Sequence, residues 1–530
     1  MDAKKTIESG KAVLGIEFGS TRIKAVLIDE AFNPIAQGDH EWENRLENGL
    51  WTYSLDDIWN GLQDCYASLR TDVRHHYGVE IESLAGIGIS AMMHGYMAFD
   101  AAERLLVPFR TWRNTNTGPA ARALSELFNF NMPLRWSLSH LYQCVLDDEP
   151  HVKNVDFFTT LAGYIHWRLT GRKVLGVGDA SGMMPIDAAT GDFDAARIEA
   201  FDQLVAPKSY GWKLRDLLPK VLSAGENAGV LTEEGASKLD PSGHLKPGIP
   251  FCPPEGDAGT GMVATNAVRP RTGNVSAGTS SFSMIVLEKD LKRPHETIDI
   301  VTTPDGAPVA MVHCNNCTSD INAWINLFIE YQELLGIPVD KREVFTKLFN
   351  KALEGDADCG GLVSFNYISG EPVTGFSEGR PLFVRNANDR FSLANFIRAH
   401  IYASVCVLKF GNDILFKEEK VKVDRITGHG GLFKTKGVGQ RFLAAALDSP
   451  ISVMETAGEG GAWGIALLAA YTVSNKEGLN LADFLEKVVF GGNCGESIAP
   501  TREEVEGFNR YLDNYKALFP VEAAAVQHKN

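Results

Sequence analysis

Two segments far apart in the 530-residue chain share one layout. Ala12–Phe18 is an apolar run suited to a buried strand, Gly19-Ser20-Thr21 is a turn of small residues, and Arg22–Asp29 alternates between two faces. Gly273–Val286 repeats the plan, with Gly278-Thr279-Ser280 as its turn. Two readings fit. Either the chain carries an internal duplication with one copy opening each of two domains, or two unrelated hairpins look alike. Length favours two domains, because 530 residues at 44% hydrophobic exceed what one core needs.

Between and after the hairpins, strand and helix signals alternate, which predicts an α/β architecture. Ser54 is placed to cap a helix whose apolar stripe is Ile58, Leu62, Cys65 and Leu69. Leu84–Ser90 reads as another buried strand. Pro247–Gly261, rich in proline and glycine, reads as a junction between domains. Further on come a helix from Leu393 to about Phe416, a glycine loop Gly428–Gly431, and helices Val438–Leu447 and Ala462–Val473.

The net charge of −16 repels phosphate backbones, so nucleic acid is excluded as the main partner. A small anion held by backbone amides is still allowed. The eight cysteines are scattered in the manner of reduced thiols. The first residues are polar, and the longest apolar stretches, such as Gly464–Val473, are about half a membrane span. The expectation is a cytoplasmic protein with no membrane partner.

Several segments carry chemistry. Gly15–Thr21 joins the Glu17 carboxylate, a glycine turn and two hydroxyls. Amides of such a turn can approach phosphate oxygens, and the carboxylate can hold a Mg²⁺ hydration shell. Gly278-Thr279-Ser280 is a second turn of that kind. In Glu255-Gly256-Asp257-Ala258-Gly259, Asp257 either takes the proton of an attacking hydroxyl or only caps the following helix. Met92-Met93-His94-Gly95 follows a strand, where α/β folds bind ligands. Trp112-Arg113-Asn114 and Asp179-Ala180-Ser181-Gly182 offer stacking and polar contacts to a polyol. Gly428-His429-Gly430-Gly431 and Gly458-Glu459-Gly460-Gly461 precede helices, suiting a flat base or a phosphate, or are ordinary loops. Cys314 and Cys317 have a C-x-x-C spacing without a second ligand pair, which reads as packing thiols.

Taken in order, these segments resemble the FGGY carbohydrate kinases of the actin/Hsp70/sugar kinase superfamily, over about residues 12–475. The hairpin turns are similar to the two phosphate motifs, and Asp257 in Gly-Asp-Ala-Gly to the catalytic aspartate. Tyr367-Ile368-Ser369-Gly370-Glu371 resembles a further family segment, as do Gly430-Gly431 with Lys434 and Gln440, and Ala462–Ala466. Met93-His94-Gly95 and Trp112 with Asn114 are similar to the sugar-binding segments of xylulokinase-like members.

The resemblance implies two ribonuclease H-like domains with a cleft between them. Residues 10–255 would form the sugar and phosphate side and 256–515 the adenosine side. It implies ATP and Mg²⁺ as cofactors, and D-xylulose as substrate ahead of L-ribulose or another sugar. A catalytically weakened binding protein is the alternative of a different class, and a homodimer is compatible with the resemblance. Asp257 would be the base. Gly19, Ser20, Thr21, Lys24, Gly278, Thr279, Ser280, Gly430, Gly431 and Lys434 would take the nucleotide. Met93, His94, Trp112, Asn114 and Asp257 would hold the sugar, and Glu17 the metal.

The chain departs from the family at four places. Glu17 stands for Asp, Asn114 for Asp and Pro372 for Arg, and Leu432-Phe433 lengthen the glycine loop. One extra methylene at residue 17 moves the carboxylate by about 1 Å, a misplacement that can cost on the order of 100-fold in rate.

Overall fold

The computed structural model describes residues 2–454, 460–475, 477–493 and 495–528. The chain forms two compact units from interleaved stretches. The first takes residues 1–269, 299–309 and 459–493; the second takes 270–298, 310–458 and 494–530.

The first unit is organised by one sheet. Its strands are β1 (Val13–Phe18), β2 (Arg22–Ile28), β3 (Pro34–Glu41), β4 (Gly86–Ala91) and β5 (Glu255–Gly256), in the order β5-β4-β1-β2-β3. β1 and β2 form the expected antiparallel hairpin, which sets Glu17 opposite Lys24. β1 runs parallel to β4, and β4 parallel to β5. β1 is apolar almost throughout because helices cover it, as buried parallel strands require. Helix α1 (Leu55–Tyr77) starts at Ser54 with a capping box closed by Asp57, and buries Ile58, Leu62, Cys65 and Leu69.

The short helix α2 (Val177–Ala180) and helix α3 (Asp257–Ala264) belong to the same unit, as does α4 (Gly460–Ser474). α4 lies on β1 and β4 at glycine distance. A Cβ on Gly15 would fall 2.0 Å from the Ala462 carbonyl oxygen, and one on Gly88 2.7 Å from that of Ile465.

The Pro247–Gly261 stretch is therefore not a junction. Its middle is the sheet strand β5, and it runs on into α3, which packs against α4 where Gly464 meets the Thr260 backbone. The compact units consequently differ from a division at residue 255. The first continues to Arg269 and regains chain later.

The second unit is built on β6 (Thr272–Ala277), β7 (Ser281–Val286), β8 (Pro308–Cys314), β9 (Arg425–His429), β10 (Ile451–Val453) and β11 (Glu496–Ile498). Their order is β8-β7-β6-β9-β10-β11. β6 is antiparallel to β7 and parallel to β9, and β9 is parallel to β10. Strand for strand, β8-β7-β6-β9-β10 repeats the order β3-β2-β1-β4-β5. The matching order and strand sense favour a duplication over a chance likeness of two hairpins. The helix Leu393–Asp413 fills this unit's core and ends in a wider turn, Ile414–Glu418. Among the described residues, no helix is long and apolar enough to cross a membrane.

Candidate active site

In the first unit the C-terminal ends of three parallel strands lie abreast. Glu17 of β1 pairs with Ser90 of β4, and Ser90 with Glu255 of β5. The chain leaves these ends as Gly19–Thr21, Met92–Gly95 and Asp257, the edge at which α/β sheets present their ligand groups.

Asp257 is the first residue of α3. Its Oδ1 accepts the amide of Met93 at 3.2 Å and that of Ala258 at 3.0 Å. Burial raises the carboxyl above its usual range, while these amides and the Arg135 charge pull it back. Asp257 follows Gly256, which is the N-cap of α3, and no side-chain capping bond is made there.

Beside it, His94 and Gly95 are consecutive left-handed residues, with φ of 71° and 87°. Such a backbone is uncommon outside glycine, and histidine is among the side chains that adopt it more readily. The His94 ring stacks on Trp136 at 6.2 Å, and its Nδ1 is bonded to the Gly182 carbonyl at 3.1 Å. A Cβ on Gly182 would fall 2.7 Å from His94 Nδ1, and one on Gly256 only 2.1 Å from Met93 Cγ. Segments 92–95, 179–182 and 256–257 therefore interlock only because glycine stands at the crossings. The stretch 299–309 closes the same region. Asp299 pairs with Arg135, and the Thr302 amide donates to Ser181 Oγ at 3.0 Å.

Glu17 reaches the N-terminus of α4, where the amides of Gly461 and Ala462 donate to it. A Cβ on Gly461 would lie 2.3 Å from Glu17 Oε1, so the longer acid and the glycine fit each other. Burial first, and then the Asp257 charge, push this carboxyl up to about 7, while Lys24 and the two amides oppose. A buried carboxyl raised by a neighbouring carboxylate suits a hard divalent cation, which would relieve both. The residues present fit Mg²⁺.

The turn Gly19–Thr21 is braced by aromatic donors. Trp42 Nε1 bonds the Gly19 carbonyl at 2.7 Å, and the Tyr53 hydroxyl bonds the Ser20 carbonyl at 2.6 Å. Trp112 Nε1 reaches Ser20 Oγ at 3.3 Å. Thus Trp112 joins the expected sugar segment to the expected phosphate turn. Asn114 is buried. Its amide accepts from Trp51 N at 2.9 Å and donates to the carbonyls of Trp51 (2.8 Å) and Thr111 (3.0 Å). It ties the Thr111–Asn114 segment to Trp51.

In the second unit, the turn Gly278–Ser280 and Gly430-Gly431 meet at the C-terminal ends of β6 and β9. Thr318 donates to the Gly278 carbonyl through its amide (3.1 Å) and its hydroxyl (2.7 Å), and the Cys317 amide donates to Thr279 O at 2.9 Å. Gly430 has φ 101°, and a Cβ there would fall 2.7 Å from the Ala277 carbonyl oxygen. Lys434 is exposed one turn later. Gln440 is instead a brace, donating to the carbonyls of Ile451 and Glu496, each at 2.7 Å. Gly458 and Glu459 lie outside the described residues, as does Cys494.

Glu371 is buried and accepts the Asn316 side chain at 3.1 Å and its amide at 3.2 Å. Burial pushes its carboxyl up to about 7. Above the unfolded value the unfolded chain sheds this proton first, so the stability tied to it fades as pH rises from about 4.5 to about 7. Glu371→Gln is expected to lose less melting temperature between those values than the parent, as read by thermal denaturation.

Cys314 and Cys317 are buried, and burial pushes the Cys317 thiol up to about 12. Among the described residues, Cys144, Glu149 and His151 lie close enough to share a metal. Arg110 occupies that place, donating to Cys144 Sγ at 3.0 Å and to Glu149 at 2.6 Å.

Residues 12–264 match the N-terminal domain of the FGGY family of carbohydrate kinases, and residues 273–473 its C-terminal domain. The chain is 20% identical over 518 residues to the xylulose kinase of Haemophilus influenzae, spanning 96% of this chain and 100% of the relative. A ligand-bound xylulose kinase from Lactobacillus acidophilus superposes with a TM-score of 0.78 at 16% identity, covering 97% of this chain and 99% of that one. A gluconate kinase from the same species gives 0.78 at 16% identity, over 96% and 98%. With both domain matches in order along one α/β chain, the protein belongs to the FGGY family of carbohydrate kinases and is a sugar kinase of the actin/Hsp70/sugar kinase fold.

Proposed function

We propose that the protein transfers the γ-phosphoryl group of ATP to a hydroxyl of a ketopentose, D-xylulose first. The observation that carries this reading is Asp257, whose carboxylate is fixed by the Met93 and Ala258 amides beside His94. The xylulose kinases among its relatives support the choice of sugar.

In this reading, Asp257 accepts the proton of the attacking hydroxyl as the phosphoryl group moves in line. Met93, His94 and Trp112 orient the sugar, while Asn114 holds the loop that carries Trp112. Gly19–Thr21 with Lys24 takes phosphate oxygens, and Gly278–Ser280, Gly430, Gly431 and Lys434 take the nucleotide. Glu17 would hold Mg²⁺ through its hydration shell, and the ion would neutralise phosphate charge.

ADP release measured with ATP, Mg²⁺ and a panel of D-xylulose, L-ribulose, gluconate and glycerol tests the proposal. The expected result is a kcat/KM for D-xylulose at least about tenfold above the others, a difference of roughly 1.4 kcal/mol. Turnover confined to another member of the panel would overturn the choice of sugar. No sugar-dependent release at all would favour the binding-protein reading.

A further inference from the structure

Asp179 is fully buried in α2. Its Oδ2 meets the Thr160 hydroxyl at 2.6 Å, and its Oδ1 has no hydrogen-bond partner. That bare oxygen lies 3.2 Å from where a Cβ on Gly256 would stand, one residue before Asp257. Glu255 is buried too, and accepts the amides of Gly178 at 3.2 Å and Asp179 at 2.9 Å. Three carboxyl groups thus gather around a single turn. Among the described residues, no lysine or arginine pairs with Asp179 or Glu255. Arg135 bears on Asp257 and is itself paired with Asp299.

Like charges gathered out of water cannot all ionise, and the proton stays where the anion is least supported. Asp257 has two amide bonds and the Arg135 field in its favour. Asp179 has one hydroxyl and an orphaned oxygen. We propose, resting on the kinase reading above, that Asp179 is a positioning residue that keeps its proton while Asp257 is ionised. Burial first, and then the Asp179 charge, also raise the Glu255 carboxyl well above its usual range, so of these three carboxyls Asp257 carries the charge. The base is charged when the hydroxyl arrives, and no Asp179 anion adds to the repulsion of the incoming phosphate.

Burial pushes the Asp179 carboxyl up to about 7, with the Asp257 charge adding to it. Ionisation of Asp179 should therefore remove activity on the alkaline side. The other titratable or charged groups on packed elements are Glu255 of β5, Asp257 of α3, His94, the Arg135–Asp299 pair, and Lys220 at the exposed start of the strand Lys220–Leu222. Glu17 also titrates near this range, so the profile must be assigned by substitution.

The test compares kcat and KM of the parent and Asp179→Asn from about pH 6 to 8.5. The parent kcat is expected to fall about tenfold over the last unit of that range, as a single titration gives, with KM little moved. The Asp179→Asn profile should be level there, whatever its absolute rate. Infrared difference spectra of parent minus variant supply a readout free of turnover: a carboxylic-acid band at pH 6 that vanishes by pH 8.5. Asp179→Ser, which keeps a hydroxyl for Thr160, serves the same measurements if the asparagine variant does not fold. An unchanged alkaline limb, or no acid band, would overturn the proposal while leaving sugar-dependent ADP release, and with it the kinase reading, intact. If the parent shows no sugar-dependent release, the kinase reading fails, and the infrared band still decides whether Asp179 holds its proton.

Discussion

Asp257→Asn is expected to cut sugar-dependent ADP release by about 10²–10⁴-fold, the usual worth of a general base. Asparagine keeps the side-chain oxygen that accepts from Met93 and Ala258, so the loop and the start of α3 keep their bonds. What is lost is the capacity to take a proton. The loss should lie in kcat, with KM for the sugar moved only severalfold, because the interaction removed matters most in the transition state. The melting temperature should not fall, since the native carboxyl is raised by burial and its ionised form is a strain on the fold. Steady-state kinetics and thermal denaturation on one preparation check both halves. A variant with parental kcat would remove Asp257 from the mechanism.

The second large effect is expected at Gly15, a residue that touches neither sugar nor nucleotide in the reading given above. Its missing Cβ is the space in which α4 lies: a methyl there would fall 2.0 Å from Ala462 O and 2.6 Å from Ala466 N. Backbone cannot yield as a side-chain tip does, so Gly15→Ala must lift the helix. Overpacking of this kind costs about 1–3 kcal/mol or more. The helix carries the Gly461 and Ala462 amides that hold Glu17, so a shift of about 1 Å should also lower kcat on the order of 100-fold. Urea unfolding gives the first number and ADP release the second. Glu17→Asp separates the two effects, because it changes activity without the clash.

Much of this was legible in the sequence where chemistry is local. The hairpins, the Ser54 capping box, the strand before Met93 and the start of α3 at Asp257 are written in neighbouring residues, and the structure has them there. The junction was misread because proline and glycine signal a turn equally well at a sheet edge or between domains. The bonds of Asn114 are not legible in the sequence, because its partners, the Trp51 backbone groups, lie 63 residues away. Arg135 with Asp299, and Asp179 with Glu255, lie far apart in the chain, and no spacing rule joins them. Glu17 looked like a flaw beside the usual aspartate until Gly461 came into place opposite it.

The interleaved connectivity has a bearing on biosynthesis. As the polypeptide leaves the ribosome, its first 269 residues contain most of the first unit but not the helix that covers Gly15 and Gly88, which is translated some two hundred residues later. The nascent N-terminal portion must therefore wait, with part of its sheet uncovered, until residues near 493 have emerged. Truncation at the apparent midpoint of the gene would give not half an enzyme but an unfinished one.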